Sequence, residues 1–416
     1  MSLRRKWILS LVMFAVCGAA LLLSAQANFE EPWEMAGYEC QPDGPGQDPT
    51  AGKEEPIIIG KTLSLPSKVF GQPIRLQVSL PAGYEAGQAR YPVLIAFQVA
   101  DRFPAVAGIT LGLASAGMIP PLIAVSADLN GDWFSLYAEE RKPGSGRGPD
   151  ILEFVRRELV PFLEARYRTV PHRILLGHSA SALWGLQAAV QAPDLFQTVL
   201  AAGPMFAEAD YARVSELLDE ALASRKPAPQ YLLFTQGDQP ELSRDLAAFQ
   251  DWLKAQRPEG LTWEFDPEPG ENHGSLALMT LYDGLRELFK PWATLPEDIG
   301  LGGGSAIGDY KQGLAVRFGY DIGLGPYADF RLRVKWTEER RFEPLIALAR
   351  FGCEERPEDW YAHFSLGMTL ELAGRWMEAA ASHVTALTKL GSLPAAQAAA
   401  IRPRVEARLA EARKKT

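Results

Sequence analysis

Ser179 stands in the pentapeptide Gly177-His178-Ser179-Ala180-Ser181, directly after the apolar run RILL and directly before the helix-forming stretch ALWGLQAAV. A serine hydroxyl becomes a useful nucleophile only when an imidazole takes its proton and backbone N–H groups meet the negative charge that develops. Strand, sharp turn and helix supply that setting: the turn lifts the hydroxyl above the sheet and the helix N-terminus favours an anion. Ser181 fills the last position of G-x-S-x-G, where glycine is usual. A serine that merely caps the following helix gives the same local pattern, so the other participants decide.

Of the five histidines, His273 in PGENHGS follows the last strand-like run, where a general base belongs. His172 precedes a strand, His178 lies within the turn, and His363 and His383 fall in the C-terminal helical stretch. Chain order requires nucleophile, then acid, then histidine. The acid is therefore expected after QYLLFTQG, with Glu241 preferred, Asp238 as the alternative and Asp245 third. Asp238 directly follows Gly237 and also suits the shaping of a turn. The N–H of Ala180 and an N–H of Gln98 or Val99, after VLIAF, are the candidate oxyanion donors. Trp133, Phe134, Met205 and Phe206 follow other strand-like runs and are candidates to line an apolar cleft, although such residues also serve as plain core.

Positioning these groups requires a sheet whose strands end at one edge. YPVLIAFQV, PPLIAVSA, RILLGHS, FQTVLAAG, QYLLFTQG and LTWEFDPEP alternate with segments such as 151–167, whose apolar residues recur at helical spacing. Runs apolar throughout suit strands buried on both faces, the signature of a mostly parallel sheet covered by helices in an α/β fold. KTLSLPSKV and IRLQVSL, around Gly71-Gln72-Pro73, predict an antiparallel hairpin before it. The expected organisation is a signal peptide over 1–27, a mobile segment over 28–56, the sheet domain over 57–295, a Gly-rich linker over 296–335 and a helical region over 336–416. In that last region Leu366, Gly367, Leu370, Gly374, Ala379 and Ala386 have the spacing of a tetratricopeptide repeat, a surface for a protein partner.

The chain has 416 residues, enough for more than one domain, and its 47% hydrophobic and 22% charged residues are those of a globular protein. A net charge of -9 with no basic tract argues against nucleic acid. Arg4, Arg5 and Lys6, an apolar run from Trp7 to about Leu23 and the sequence Ala25-Gln26-Ala27 read as an export signal. The expected location is periplasmic or extracellular, with a membrane anchor only if that segment stays uncleaved. Cys40 and Cys353 are the cysteines beyond the signal, too few for a disulfide framework. No ligand-spaced motif calls for a metal, and no cofactor is expected.

YPVLIAF, RELVPFLEARYRTVPHRILLGHSASALWGLQAAVQAPDLF and PGENHGSLALMTLYDGLRELF together resemble the bacterial putative esterase family of α/β hydrolases, which is similar to siderophore esterases and S-formylglutathione hydrolase. The resemblance covers about residues 57–292 and implies hydrolysis of a small-molecule carboxylic ester or thioester through an acyl-enzyme on Ser179, with His273 as base. This chain departs from the family at Gln98-Val99-Ala100, where relatives carry an Asp-Gly-Asp-like loop, and at Ser181-Ala182, where their elbow ends in Gly-Gly. Two other readings compete: an acyltransferase using the same acyl-enzyme, and a catalytically silent scaffold that binds a partner through its helical region.

Overall fold

The protein's structure is a computed structural model describing residues 56–129, 148–205, 211–223, 225–238 and 243–416. One eight-stranded sheet is built from β1 Lys61–Pro66, β2 Pro73–Ser79, β3 Tyr91–Phe97, β4 Ile123–Ala127, β5 Thr169–His178, β6 Thr198–Ala202, β7 Gln230–Gln236 and β8 Leu261–Pro267. Its order is β1-β2-β4-β3-β5-β6-β7-β8; β2 runs antiparallel to β1 and β4, and the remaining pairings are parallel. The expected hairpin is present, with Leu65 opposite Ile74. Gly71 supplies a left-handed φ of 69° between its strands.

Successive residues of β3 feed opposite faces, as strand geometry requires. Val93, Ile95 and Phe97 enter one core together with Phe154 of α2 (Gly148–Phe154) and Leu163 of α3 (Val160–Arg166). Leu183 of α4 (Ala180–Gln191), Leu218 of α5 (Tyr211–Ala223) and Phe249 of α6 (Ser243–Gln256) complete that layer. Leu94 and Ala96 enter the other core, with Val106 of α1 (Phe103–Ser115) and Leu281, Leu285 and Phe289 of α7 (His273–Ala293). Every residue of β3, β4 and β6 is buried, which is why those strands read as unbroken apolar runs. Each fully buried Leu, Ile or Phe contributes about 1.5–3 kcal/mol.

Residues 296–335 are not a linker. After a 3-10 turn at Ile299–Gly302 they form α8 (Gly303–Phe318) and most of α9 (Pro326–Glu338). Gly300, taken in the sequence as part of a Gly-rich linker, serves close packing: a Cβ there would come within 2.5 Å of Trp336 and of Pro344. Leu314 and Phe318 of α8 join the core beneath α7. The Tyr310 hydroxyl donates to the Pro291 carbonyl at 2.7 Å, and the Trp292 indole to the Ile322 carbonyl at 3.3 Å.

Beyond them α10 (Phe342–Glu355), α11 (Trp360–Leu372), α12 (Trp376–Lys389) and α13 (Ala395–Lys415) pack each against the next. Small side chains permit the approach. Gly367 of α11 lies under the ring of His383, where a Cβ would sit 2.4 Å from the imidazole. That buried histidine is 2.8 Å from Glu371 Oε1, and Arg408 of α13 holds the other Glu371 oxygen.

Candidate active site

Strand β5 delivers Ser179 at its carboxyl end with φ 61° and ψ -120°. An L-residue held there stores about 1–3 kcal/mol of strain, so the surroundings must hold it. The Ser179 N–H donates to the Ala202 carbonyl at 3.0 Å, and its own carbonyl accepts from Ala182 at 3.0 Å and from Met205 at 3.3 Å. Gly177 is obligatory for the turn: a Cβ would lie 2.5 Å from the Ser181 carbonyl oxygen and 2.8 Å from the Ala182 Cα, both backbone. The Ser179 side chain makes no capping bond to α4. Helix capping therefore does not account for this serine.

His273 is the first residue of α7, fixed by a capping box. The Asn272 side chain accepts from the N–H groups of Gly274 (2.8 Å) and Ser275 (3.0 Å), while the Asn272 N–H donates to Ser275 Oγ at 3.1 Å. Gly203, just past β6 with φ 53°, lies against the imidazole: a Cβ there would be 3.3 Å from His273 Nδ1. Ser179 is bonded to Ala202 and Met205, the residues that bracket Gly203 on either side. Nucleophile candidate and base candidate thus flank one turn at the carboxyl edge of the sheet.

His178 joins the same group. Its Nε2 donates to the His273 carbonyl at 2.7 Å, and the two rings lie 4.6 Å apart at 37°. Burial pushes the His178 imidazole down to about 4, and the neighbouring His273 and Arg102 push the same way, so it is neutral at physiological pH. Arg102 donates to the Gly274 carbonyl at 2.6 Å, tying the segment after β3 to the start of α7.

One oxygen of the Asp238 carboxylate meets the chain that carries His273. Its Oδ2 accepts the Gly270 N–H at 3.1 Å, its own N–H donates to the Glu271 carbonyl at 2.9 Å, and the side chain is exposed. Gly237 lets the two segments touch, since a Cβ there would lie 2.3 Å from the Glu271 carbonyl oxygen. This is the turn-shaping role open to Asp238 from the start. Glu241, Trp133, Phe134 and Phe206 lie outside the described residues, and Asp245 sits in the first turn of α6. Met205 is described, 36% exposed and hydrogen-bonded to Ser179 through its N–H, a position from which it can line a cleft.

Ala180 opens α4, so its N–H has no intrahelical acceptor. Gln98 ends the β3 segment with φ 57°, and Val99 beyond it buries its side chain completely. Sequence reasoning passed over Gly203, His178 and Arg102 as site components. Only Gly203 carried a signal, a glycine directly after the buried run VLAA.

Sheet order, a serine on a strained strand-to-helix turn and a histidine beyond the last strand define an α/β hydrolase. Residues 67–273 match the family model described as putative esterase. This domain belongs to that family, and the protein is a carboxylic-ester hydrolase. An IroE-like serine hydrolase from Shewanella oneidensis superposes with a TM-score of 0.59 at 22% identity, over 70% of this chain and 98% of that one. An uncharacterised protein from Capnocytophaga ochracea superposes at 0.60 with 15% identity, over 84% of this chain and 99% of that one. At such identities both show the fold alone. No curated protein matches the sequence significantly.

Proposed function

We propose that the protein is an exported serine esterase that cleaves a small carboxylic ester or thioester through an acyl-enzyme on Ser179. The observation that carries this reading is the shared turn, with Ser179 bonded to the residues around Gly203 and the His273 ring resting on Gly203 itself. His273 takes the Ser179 proton as Oγ attacks the acyl carbon, and the resulting oxyanion is met by the N–H of Ala180 and an N–H of Gln98 or Val99. Collapse breaks the bond to the leaving alcohol or thiol, which receives the proton held by His273. Water then attacks the acyl-enzyme, gives a proton to His273, and releases the acid as Ser179 Oγ recovers that proton. Glu241, preferred from its place past the strand end, or Asp238 orients His273 as the third member of the triad.

The basic and apolar segment before Ala27 directs export, and cleavage there leaves a mature chain starting at Asn28. The helices after residue 336, with tetratricopeptide-like spacing, serve a protein partner. The sequence resemblance to a family similar to siderophore esterases makes siderophore esters a substrate class to include in a screen.

A panel of p-nitrophenyl esters from acetyl to dodecanoyl, with a catecholate siderophore lactone, tests the reading. Wild type should hydrolyse at least one of them, and Ser179→Ala should lose about 10³-fold or more of that rate. Equal turnover by wild type and Ser179→Ala would refute it.

A further inference from the structure

We infer that Gln98 is a positioning residue whose side-chain carbonyl fixes the oxyanion donors relative to the nucleophile turn. This deepens the esterase reading and rests on it. β3, which Gln98 follows, pairs with β5, the strand that ends at the turn, with Ala96 opposite Leu176. Gln98 and Ser179 are the non-glycine residues of the sheet edge with positive φ, 57° and 61° among the described residues. A glutamine in that conformation is strained and persists only where its surroundings enforce it.

The enforcing contact is direct, since Gln98 Oε1 accepts the Ser181 N–H at 2.6 Å. Ser181 is the second residue of α4, so this N–H would otherwise lack a partner. The Ser181 side chain, fully buried, turns back into the elbow. Its Oγ accepts from the His178 N–H at 2.8 Å and donates to the His178 carbonyl at 2.9 Å, with the Phe97 carbonyl at 3.4 Å. One residue therefore joins the end of β3 to both sides of the nucleophile turn.

Two consequences follow for the oxyanion. With the Ser181 N–H occupied, the N–H of Ala180, one residue earlier, is the donor that α4 has left for a bound carbonyl oxygen. The same bond holds the Gln98 peptide, and hence the directions of the Gln98 and Val99 N–H groups, in register with Ala180. A neutral amide suits this place, because a carboxylate would put an anion beside the charge that the site must stabilise. Releasing the contact lets the two donor segments drift, and a displacement of about 1 Å can cost on the order of 10²-fold in rate.

The test compares wild type, Ser179→Ala, Gln98→Ala and Gln98→Glu on the best ester of the panel, reading kcat and KM separately along with Tm. Gln98→Ala should lose roughly 10- to 100-fold in kcat with little change in KM. Gln98→Glu retains an acceptor of the same shape, so it should keep a Tm near that of wild type yet lose about tenfold or more in kcat. If Gln98→Ala does not fold, Gln98→Glu decides. A kcat within about threefold of wild type in a folded Gln98 variant, or a loss confined to KM, overturns the proposal while Ser179→Ala stays inactive. A Ser179→Ala protein with the wild-type rate instead overturns the esterase reading, and this inference with it.

Discussion

Acid should weaken this protein through two histidines that the fold keeps neutral. His172 is 2% exposed, with Nδ1 2.9 Å from the Phe318 carbonyl, Nε2 3.3 Å from Thr198 Oγ1, and the rings of Phe289, Phe318 and Tyr320 around it. Burial, followed by the nearby Arg173 cation, depresses this imidazole from 6.5 to about 4 despite its bond to Phe318. His178 is depressed to the same level, also chiefly by burial. Between those limits an unfolded histidine binds a proton that the folded one refuses, so the stability present above pH 6.5 is lost as pH falls through about 4. The slope is about 1.4 kcal/mol per pH unit for each histidine, and the full loss is about 3 kcal/mol each. Set against a total stability of roughly 5–15 kcal/mol, that is a large fraction.

His172→Gln isolates the effect, because glutamine does not titrate. Urea unfolding followed by tryptophan fluorescence, repeated from about pH 7 down to about pH 4.5, gives the difference in stability between wild type and variant at each pH. At the upper end the variant should be less stable by about 1–2 kcal/mol for its altered hydrogen bonds. Below pH 6.5 the gap should close by about 1.4 kcal/mol per unit and then reverse. Parallel curves over the whole range would refute the argument.

Three further outcomes are expected. Gly203→Ala places a Cβ 3.0 Å from Leu276 and 3.3 Å from the His273 ring at φ 53°, so kcat should fall roughly tenfold or more while circular dichroism shows the fold retained. Asp238→Asn keeps an acceptor for the Gly270 N–H, and esterase assays should find activity within about threefold of wild type; a loss on the order of 10³-fold would make Asp238 the triad acid instead. A chain ending at residue 295 uncovers the apolar face that Leu314 and Phe318 occupy, and soluble yield with Tm should fall well below those of the full chain.

The sheet was legible because its strands are buried on both faces, so YPVLIAF and its counterparts needed no periodicity to stand out. Ser179 and His273 stand out as candidates because strand-to-turn chemistry leaves a local spelling in Gly177 to Ser181 and at the start of α7. Glycine misled at Gly300, where the same residue type that marks a hinge served a close approach to Trp336. Neither the spacing nor the composition could show that an Asp238 oxygen would meet the Gly270 N–H, 32 residues away in sequence, or that Gln98 would reach Ser181 with its side chain. Those contacts depend on which strands become neighbours, a property of the folded sheet.

The central claim is that Ser179 carries the acyl group. Wild-type protein treated with a fluorophosphonate and digested should yield, by mass spectrometry, a single modified peptide with the added mass on Ser179, and Ser179→Ala should yield none. Labelling at another residue, or undiminished labelling of Ser179→Ala, would contradict the account.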